Sequence, residues 1–363
     1  MDLIKLYSIS FSPSELNAGE AISGHTSVLW VERYREPGEF KIVAPLSSGL
    51  LTDLPIGSFI THQETPTVMI VENHEINQPE DADSTITITG RCATSFMENR
   101  TVGDDVAFAT DVISDYILAA DQTWDQAVTL IDDHLINATD PDDLLNGFAV
   151  MHTCSGPVTV EERAVKPTNV HQAVTDILKI DDLGMKTVRP TSSVAVTYFV
   201  VYRGNDVSTK VRFSWMRGDI DSADYFFSNK KLYTQARVMG RWMQVVVNPT
   251  GANNYDRRTM IVDAAYLDER QTAFPTGTAH TWITAAMMAD GHKALKAQKE
   301  IAITSVDISE NANVRFRRDY NIGDLVTVDG DFGTSQVMRV VEYAETDDET
   351  GSRGHPTLAI PGE

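Results

Sequence analysis

Between Val28 and Arg100, apolar and polar residues alternate with the period of two that a half-buried strand requires, and turn residues interrupt them at short intervals. Val28-Leu29-Trp30-Val31-Glu32-Arg33-Tyr34 is rich in β-branched and aromatic side chains, which suit a pleated surface. Glu36-Pro37-Gly38-Glu39 then predicts a type II turn, with Pro37 presetting φ and Gly38 taking the positive φ. Residues 40–43 return, Leu54-Pro55-Ile56-Gly57 predicts a second turn, and 59–61, 68–72 and 85–89 follow as further strands. So many short strands in one meander predict a small antiparallel barrel or sandwich, because closure removes exposed edges.

After Gly103 the period changes to about 3.6. Val106, Ala109, Val112, Ile113, Tyr116 and Ile117 fall on one face, with Asp104 and Asp105 where a helix dipole favours negative charge. Thr123 and Gln126 predict a capping box for a second helix with Ala127, Leu130, Ile131 and Leu135 as its buried stripe. Asp140-Pro141 reads as the N-cap and first-turn proline of a short third helix. A β segment over 150–160 leads to a helix over 170–183, with Gly184 as its C′ residue. Strands at 194–202 and 207–215 flank Arg203-Gly204-Asn205-Asp206, which has hairpin-loop chemistry, and 242–247 and 259–262 extend that region through turns at 248–254. A helix over 281–298, weakened by Gly291, and strands at 314–316, 325–328 and 336–343 close the chain. The pattern predicts an α+β, β-dominated, multi-domain protein of small antiparallel β-barrel or sandwich domains with a helical insertion. Its segments are a barrel-like domain over 1–103, the insertion over 104–185, a second β domain over 186–280, and a helix with C-terminal strands over 281–363 that pack on the barrel domains.

Trp30-Val31-Glu32-Arg33-Tyr34, Pro37-Gly38-Glu39-Phe40, Leu54-Pro55-Ile56-Gly57, Met69-Ile70-Val71-Glu72 and Ile88-Thr89-Gly90-Arg91 resemble the opening of the tail-hub proteins of long-tailed bacteriophages (siphoviruses), also described as baseplate hub or minor tail proteins. Arg317-Arg318-Asp319-Tyr320-Asn321-Ile322-Gly323-Asp324-Leu325-Val326 resembles the C-terminal part of the same family, so the likeness spans both ends of the chain. It rests on Trp30, Tyr34, Pro37, Gly38, Gly57, Gly90, Arg91, Asp319, Tyr320, Gly323 and Asp324, which are mostly turn chemistry and carry over no catalytic residue. The resemblance implies a non-enzymatic structural virion protein of the tail tip, assembled in the host bacterial cytoplasm. It further implies a homotrimer whose two β domains per chain match a sixfold tube. The implied partners are distal tail and tail tube proteins, the tape measure protein, and tip, fibre or receptor-binding proteins, around a channel through which DNA leaves.

Charge adds to this picture. With 52 acidic against 30 basic residues the net charge is −22, which argues against a surface that grips phosphate backbones or anionic lipid. Acids lining a channel would let duplex DNA pass without sticking, and Glu72, Glu75, Asp324 and Asp329, which flank strands, are the candidate lining residues. Cys92 and Cys154 belong to no disulfide framework or zinc motif. No stretch approaches the roughly 18 apolar residues of a membrane span, and residues 1–5 open no signal sequence, so a soluble protein made in a cytoplasm is expected.

The search for chemistry predicts no catalytic residue, metal or cofactor. HExxH, paired CxxC, GxSxG and phosphate-cradling loops do not occur. His152 and Cys154 would project from one face of a strand, yet two ligands do not make a metal site. Asp329-Gly330-Asp331 and Asp347-Asp348-Glu349 lack the spacing of a calcium loop. Arg217-Gly218-Asp219 spells an adhesion tripeptide that a loop would expose, although chance and a β-turn explain it better. Tyr225-Phe226-Phe227 and Trp242, with Trp30 and Tyr34, read as core or interface aromatics. Two other functions stay open at this level: a carbohydrate-binding adhesin at the tail tip, and a cell-wall hydrolase, which would need a carboxylate pair in a sugar-sized cleft.

Overall fold

The structure, a computed structural model, describes residues 6–9, 11–12, 15–16, 21–80, 83–103, 116–156, 159–160, 162–189, 196–227, 233–247, 257–267, 274–297, 301–309, 312–331 and 333–361. The chain forms two compact units, one of residues 1–222 with 306–363 and the other of 223–305. The last of the expected segments, 281–363, is thus divided, its residues 281–305 lying in the second unit and 306–363 in the first with residues 1–222.

The first unit is built on an eleven-stranded sheet in the order Arg212–Ser214, Leu325–Asp329, Ser335–Asp348, Ser27–Arg33, Glu39–Pro45, Thr85–Cys92, Val68–Asn77, Phe59–His62, Leu6–Ile9, Ala21–Ile22, with Gly351–Ala359 added on Ser335–Asp348. The meander read from the sequence is its centre. Alternation in Glu39–Pro45 and Thr85–Cys92 sends Phe40, Ile42, Ala44, Ile86 and Ile88 into a core with Leu6, Val28, Trp30, Leu54, Ile60 and Met69. Barrel closure does not occur, because the pairing path among the described strands is open; the edge of Ser27–Arg33 is instead covered by the distant strand Ser335–Asp348, with Arg33 opposite Glu342 and Val28 opposite Asp347. Gly57 has the positive φ expected of its turn, +88°, whereas Gly38 does not adopt positive φ, so the type II reading is corrected. Glycine is required at position 38 because a Cβ would stand 2.3 Å from the Val31 carbonyl oxygen.

Beside this sheet, in the same unit, Thr123–Ile131 and Val170–Ile180 pack on the three-stranded sheet Phe148–His152, Thr197–Tyr202, Gly184–Val188. Trp124, Leu130, Leu135, Val174, Leu178, Phe148 and Phe199 share their core. The helix expected from Val106 onward lies mostly outside the described residues, although Tyr116 and Ile117 belong to a short strand, Tyr116–Leu118. Several local expectations change. Thr123 and Gln126 form no capping box, since Gln122 is the N-cap and the Gln126 amide donates to the Ala119 carbonyl. Asp140 does cap its turn, accepting the Asp142 N–H at 2.9 Å with Pro141 behind it. Gly184 is no helix C′ residue: the helix ends at Ile180, Asp182 takes the left-handed conformation at φ +52°, and Gly184 opens a strand. Residues 203–206 are not a hairpin loop, because Thr197–Tyr202 and Arg212–Ser214 lie in different sheets. Residues 314–316 form no strand and contribute only an isolated bridge from Phe316 to Tyr320.

The second unit packs the helix Gly277–Ala297 on the sheet Gln244–Val247, Gln235–Met239, Thr259–Asp263. Ala236, Val238 and Val247 meet Ile283, Met287 and Leu295 in its core. Gly291, which weakens the helix in isolation, permits this approach, since a Cβ there would lie 2.6 Å from Val247 Cγ2. The turns expected over 248–254 lie outside the described residues.

Candidate functional site

The residues that carried the family likeness at the two ends of the sequence meet in the first unit, around the ring of Tyr34. Tyr34 follows the strand Ser27–Arg33 and is 1 % exposed. Three glycines from separate segments make room there. A Cβ on Gly184 would lie 2.1 Å, and one on Gly323 2.4 Å, from the Tyr34 ring, while one on Gly204 would lie 1.7 Å from the Gly323 carbonyl oxygen. Tyr202 closes the cage edge-on at 5.4 Å between ring centroids.

Two guanidiniums flank the same ring, Arg35 at 5.2 Å and Arg339 at 5.0 Å from its centroid. Both reach the Asp182 carboxylate at 2.5 Å, and the Tyr34 hydroxyl donates to the Asp182 carbonyl at 2.9 Å. Arg339 also donates to the Gly323 carbonyl and Arg35 to that of Leu183. Burial raises the Tyr34 phenol above its ordinary value, so it stays a hydrogen-bond donor. The left-handed turn at Asp182 thus has a purpose: it turns one carboxylate towards both arginines and its own carbonyl towards Tyr34. Asp324 completes the junction from below. Its carboxylate, with the residue 3 % exposed, accepts the N–H groups of Asn205 and Asn321 at 2.8 and 2.9 Å and so fixes two turns to each other.

Alongside lies an open cleft of about 400 Å3 lined by Glu32, Glu64, Lys186, Arg203 and Arg317 among others. Arg317, at φ +63°, holds the carboxylates of Glu32, Glu64 and Glu345 at 3.0 Å each. Burial raises the Glu345 carboxyl and Arg317 opposes that rise. The Lys186 ammonium stands 4.4 Å above the Tyr202 ring; although the side chain keeps solvent contact, crowding by protein atoms lowers its pKa, against the pull of Glu32 and Asp324. The chemistry of the cleft is mutual neutralisation. It fastens the segment around Arg317 to the strand that carries Glu32, and no group of three His, Cys, Asp or Glu side chains able to hold a metal occurs among the described residues.

The other expected site residues divide clearly. Trp30 packs in the meander core, 6.3 Å from Phe40 between centroids. Gly90 lets two strands close up, as a Cβ would stand 1.8 Å from the Ile70 carbonyl oxygen. Arg91 pairs with Glu72 at 2.8 Å. Asp319 accepts the Arg315 N–H at 2.8 Å, and Tyr320 packs edge-on against Phe213 at 5.6 Å. Of the candidate channel acids, Glu72 is thus paired with Arg91, Asp329 is paired with Arg212 at 2.7 Å, and Asp324 is buried as a turn anchor; Glu75 stands exposed on Val68–Asn77. A buried acid bound to two N–H groups cannot face a channel, so Asp324 is withdrawn from that set. Arg217-Gly218-Asp219 is a turn, the reading the sequence favoured, with Gly218 at φ +73°. Asp219 is 0 % exposed and its carboxylate accepts from Ser214 N–H, Arg217 Nε, and the backbone and side-chain amides of Asn313. His152 faces Asp125 at 3.2 Å, and Cys154 lies beyond the end of its strand.

Sequence reasoning missed Asp182, Gly184, Gly204 and Arg339 as members of one junction. Arg339 carried a signal, being a lone charge within Val337-Met338-Arg339-Val340-Val341, an apolar run that calls for an internal counter-ion.

No curated protein matches the sequence. The fold recurs over nearly the whole chain in solved structures. The 43 kDa tail protein of prophage MuSo2 from Shewanella oneidensis superposes with a TM-score of 0.60 at 13% identity, covering 99% of this chain and 98% of that one. The tail protein from Neisseria meningitidis MC58 gives 0.62 at 13% identity with the same coverage. Prophage tail protein gp18 from Listeria monocytogenes EGD-e gives 0.58 at 13% identity, covering 98% of this chain and 94% of that one. At such identities the likeness is one of fold. The sequence itself matches the family model of the siphovirus ReqiPepy6 Gp37-like proteins over residues 14–358, the span that holds every residue of the Tyr34 junction, and the chain therefore belongs to that family.

Proposed function

We propose that this chain is a structural component of the tail of a long-tailed phage, acting as the hub that joins the distal tail tube to tip or receptor-binding components. The observation that carries this reading is the end-to-end likeness of fold to three prophage tail proteins, together with membership of a siphovirus family. The junction around Tyr34 fits such a role, because it spends its charged groups on binding distant segments of one chain together and offers a rigid body for assembly. In this reading three copies close a ring around the DNA path, next to the tape measure protein, and exposed acids such as Glu75 keep the duplex from adhering. Electron cryomicroscopy of tails from the phage that encodes the chain tests it. Three copies in a closed ring at the tail tip are expected; one copy, six copies, or absence from the tail overturns the assignment.

A further inference from the structure

The cations that line the cleft beside Tyr34 are not equally occupied. Arg33 is held by Glu39 and Glu342, Arg203 by Asp181, and Arg317 by Glu32, Glu64 and Glu345. Lys186 makes no ion pair and no hydrogen bond with any described residue, and its ammonium stands 4.4 Å above the Tyr202 ring. Its strand, Gly184–Val188, buries Met185 and Thr187 on either side and leaves Lys186 exposed at the cleft. Crowding by protein atoms lowers the pKa of the amine, and Glu32 and Asp324 oppose that fall without cancelling it. Only a neutral amine carries a lone pair. A lysine that is crowded by protein, yet reachable through a cleft of about 400 Å3, is therefore placed to act as a nucleophile.

We propose that Lys186 is a carbonyl-condensing site, at which a short uncharged aldehyde entering the cleft forms an imine. The amine lone pair attacks the carbonyl carbon and a C–N bond forms. Both nitrogen-bound hydrogens then leave with the carbonyl oxygen as one water molecule, the carbinolamine giving way to C=N. No oxidant or reductant is consumed. The lining selects the substrate class. Four carboxylates, Glu32, Glu36, Glu64 and Asp324, are matched by four cations, Arg33, Lys186, Arg203 and Arg317, so the cleft offers no surplus charge to an ionic substrate. Its volume suits a small molecule. The product can also keep what the amine had: a protonated imine restores the cation over Tyr202, within the pull of Glu32 and Asp324. Acylation of the same nitrogen would remove the charge and that contact. The inference is independent of the hub reading.

Reductive trapping on the folded full-length protein tests it. The probe is glycolaldehyde with cyanoborohydride near neutral pH, the reductant passing hydride to the iminium carbon and leaving a secondary amine. Peptide mapping by mass spectrometry should find Lys186 modified at least about threefold faster than Lys41 and Lys210, two exposed lysines of the same unit. The rate at Lys186 should reach half its plateau at a lower pH than the other two. In urea, where the cleft is lost, the three rates should converge. An acetyl N-hydroxysuccinimide ester should show a smaller preference for Lys186 than the aldehyde does. Modification of Lys186 no faster than of Lys41 and Lys210 overturns the proposal. An advantage that persists in urea overturns it too, since its cause would then be local sequence. A preference with the acyl reagent that equals or exceeds that with the aldehyde overturns the substrate class.

Discussion

Gly323 and Gly57 share nearly the same backbone conformation, φ +90° and +88°, yet they are glycine for different reasons. Around Gly57 an added Cβ would meet nothing within 4 Å, so alanine there bears only the left-handed strain, about 1 kcal/mol. At Gly323 the Cβ would also enter the Tyr34 ring, and overpacking adds about 1–3 kcal/mol. Urea denaturation should therefore show Gly323→Ala losing at least twice the stability lost by Gly57→Ala. The sequence displays both glycines but not the ring that one of them touches, which is why the turn was legible and the junction was not. His62 gives a pH signature at the same scale. Burial, reinforced by the nearby Arg317 charge, drops its imidazole to about 4 in the folded chain, where its Nδ1 accepts the Glu64 N–H at 3.1 Å. An unfolded chain titrates it near 6.5, so between those values the unfolded state binds a proton that the folded state refuses. The stability tied to this group is complete above about pH 6.5 and falls as the pH drops towards 4, by up to about 3 kcal/mol. Replacing His62 by Gln should flatten that limb of the profile of unfolding free energy against pH.

The turn after Arg212–Ser214 shows how an element can hide its logic. Trp215–Arg217 forms a single 3-10 turn, Gly218 caps it at φ +73°, and Asp219 ties it to Ser214 and Asn313. With Asp219→Ala the donors on Ser214, Arg217 and Asn313 lose their shared charged acceptor, a loss of about 1–3 kcal/mol of local order. Trypsin cleavage after Arg217 should then accelerate at least about tenfold under native conditions, as an opening equilibrium shifts. Unchanged cleavage would show that the turn is held by its backbone alone. Among the elements, the meander was legible because its alternation is long and its turns contain proline and glycine. The strand Gly351–Ala359 was not, since Gly351, Ser352, Arg353, Gly354 and Pro356 lack strand character and the pairing comes from Ser335–Asp348 beside it. The supposed hairpin at 203–206 failed for a related reason: its polar residues serve Asp324 and Gly323, more than a hundred residues away.

At the scale of the molecule, a chain that leaves one unit at residue 222 and re-enters it at 306 cannot be divided from sequence order alone. The insertion has its own core of Ala236, Val238, Val247, Ile283 and Met287. Denaturant unfolding followed by tryptophan emission and by circular dichroism should consequently resolve two transitions. A chain with 223–305 replaced by a short turn should keep the one that belongs to the larger unit. The way that unit is joined reaches back to its synthesis. The strand Ser27–Arg33 gains its neighbour Glu39–Pro45 at once, but the residues on its other side are far downstream, Glu342 lying 309 positions after Arg33. At about 5–20 residues per second on the ribosome, that edge waits roughly 15–60 s for its partner. Until then it is a bare template for any other strand, including one from the next nascent chain on the same message. A product cut short in that interval keeps the exposed edge and is expected to aggregate or to be proteolysed more readily than the completed chain.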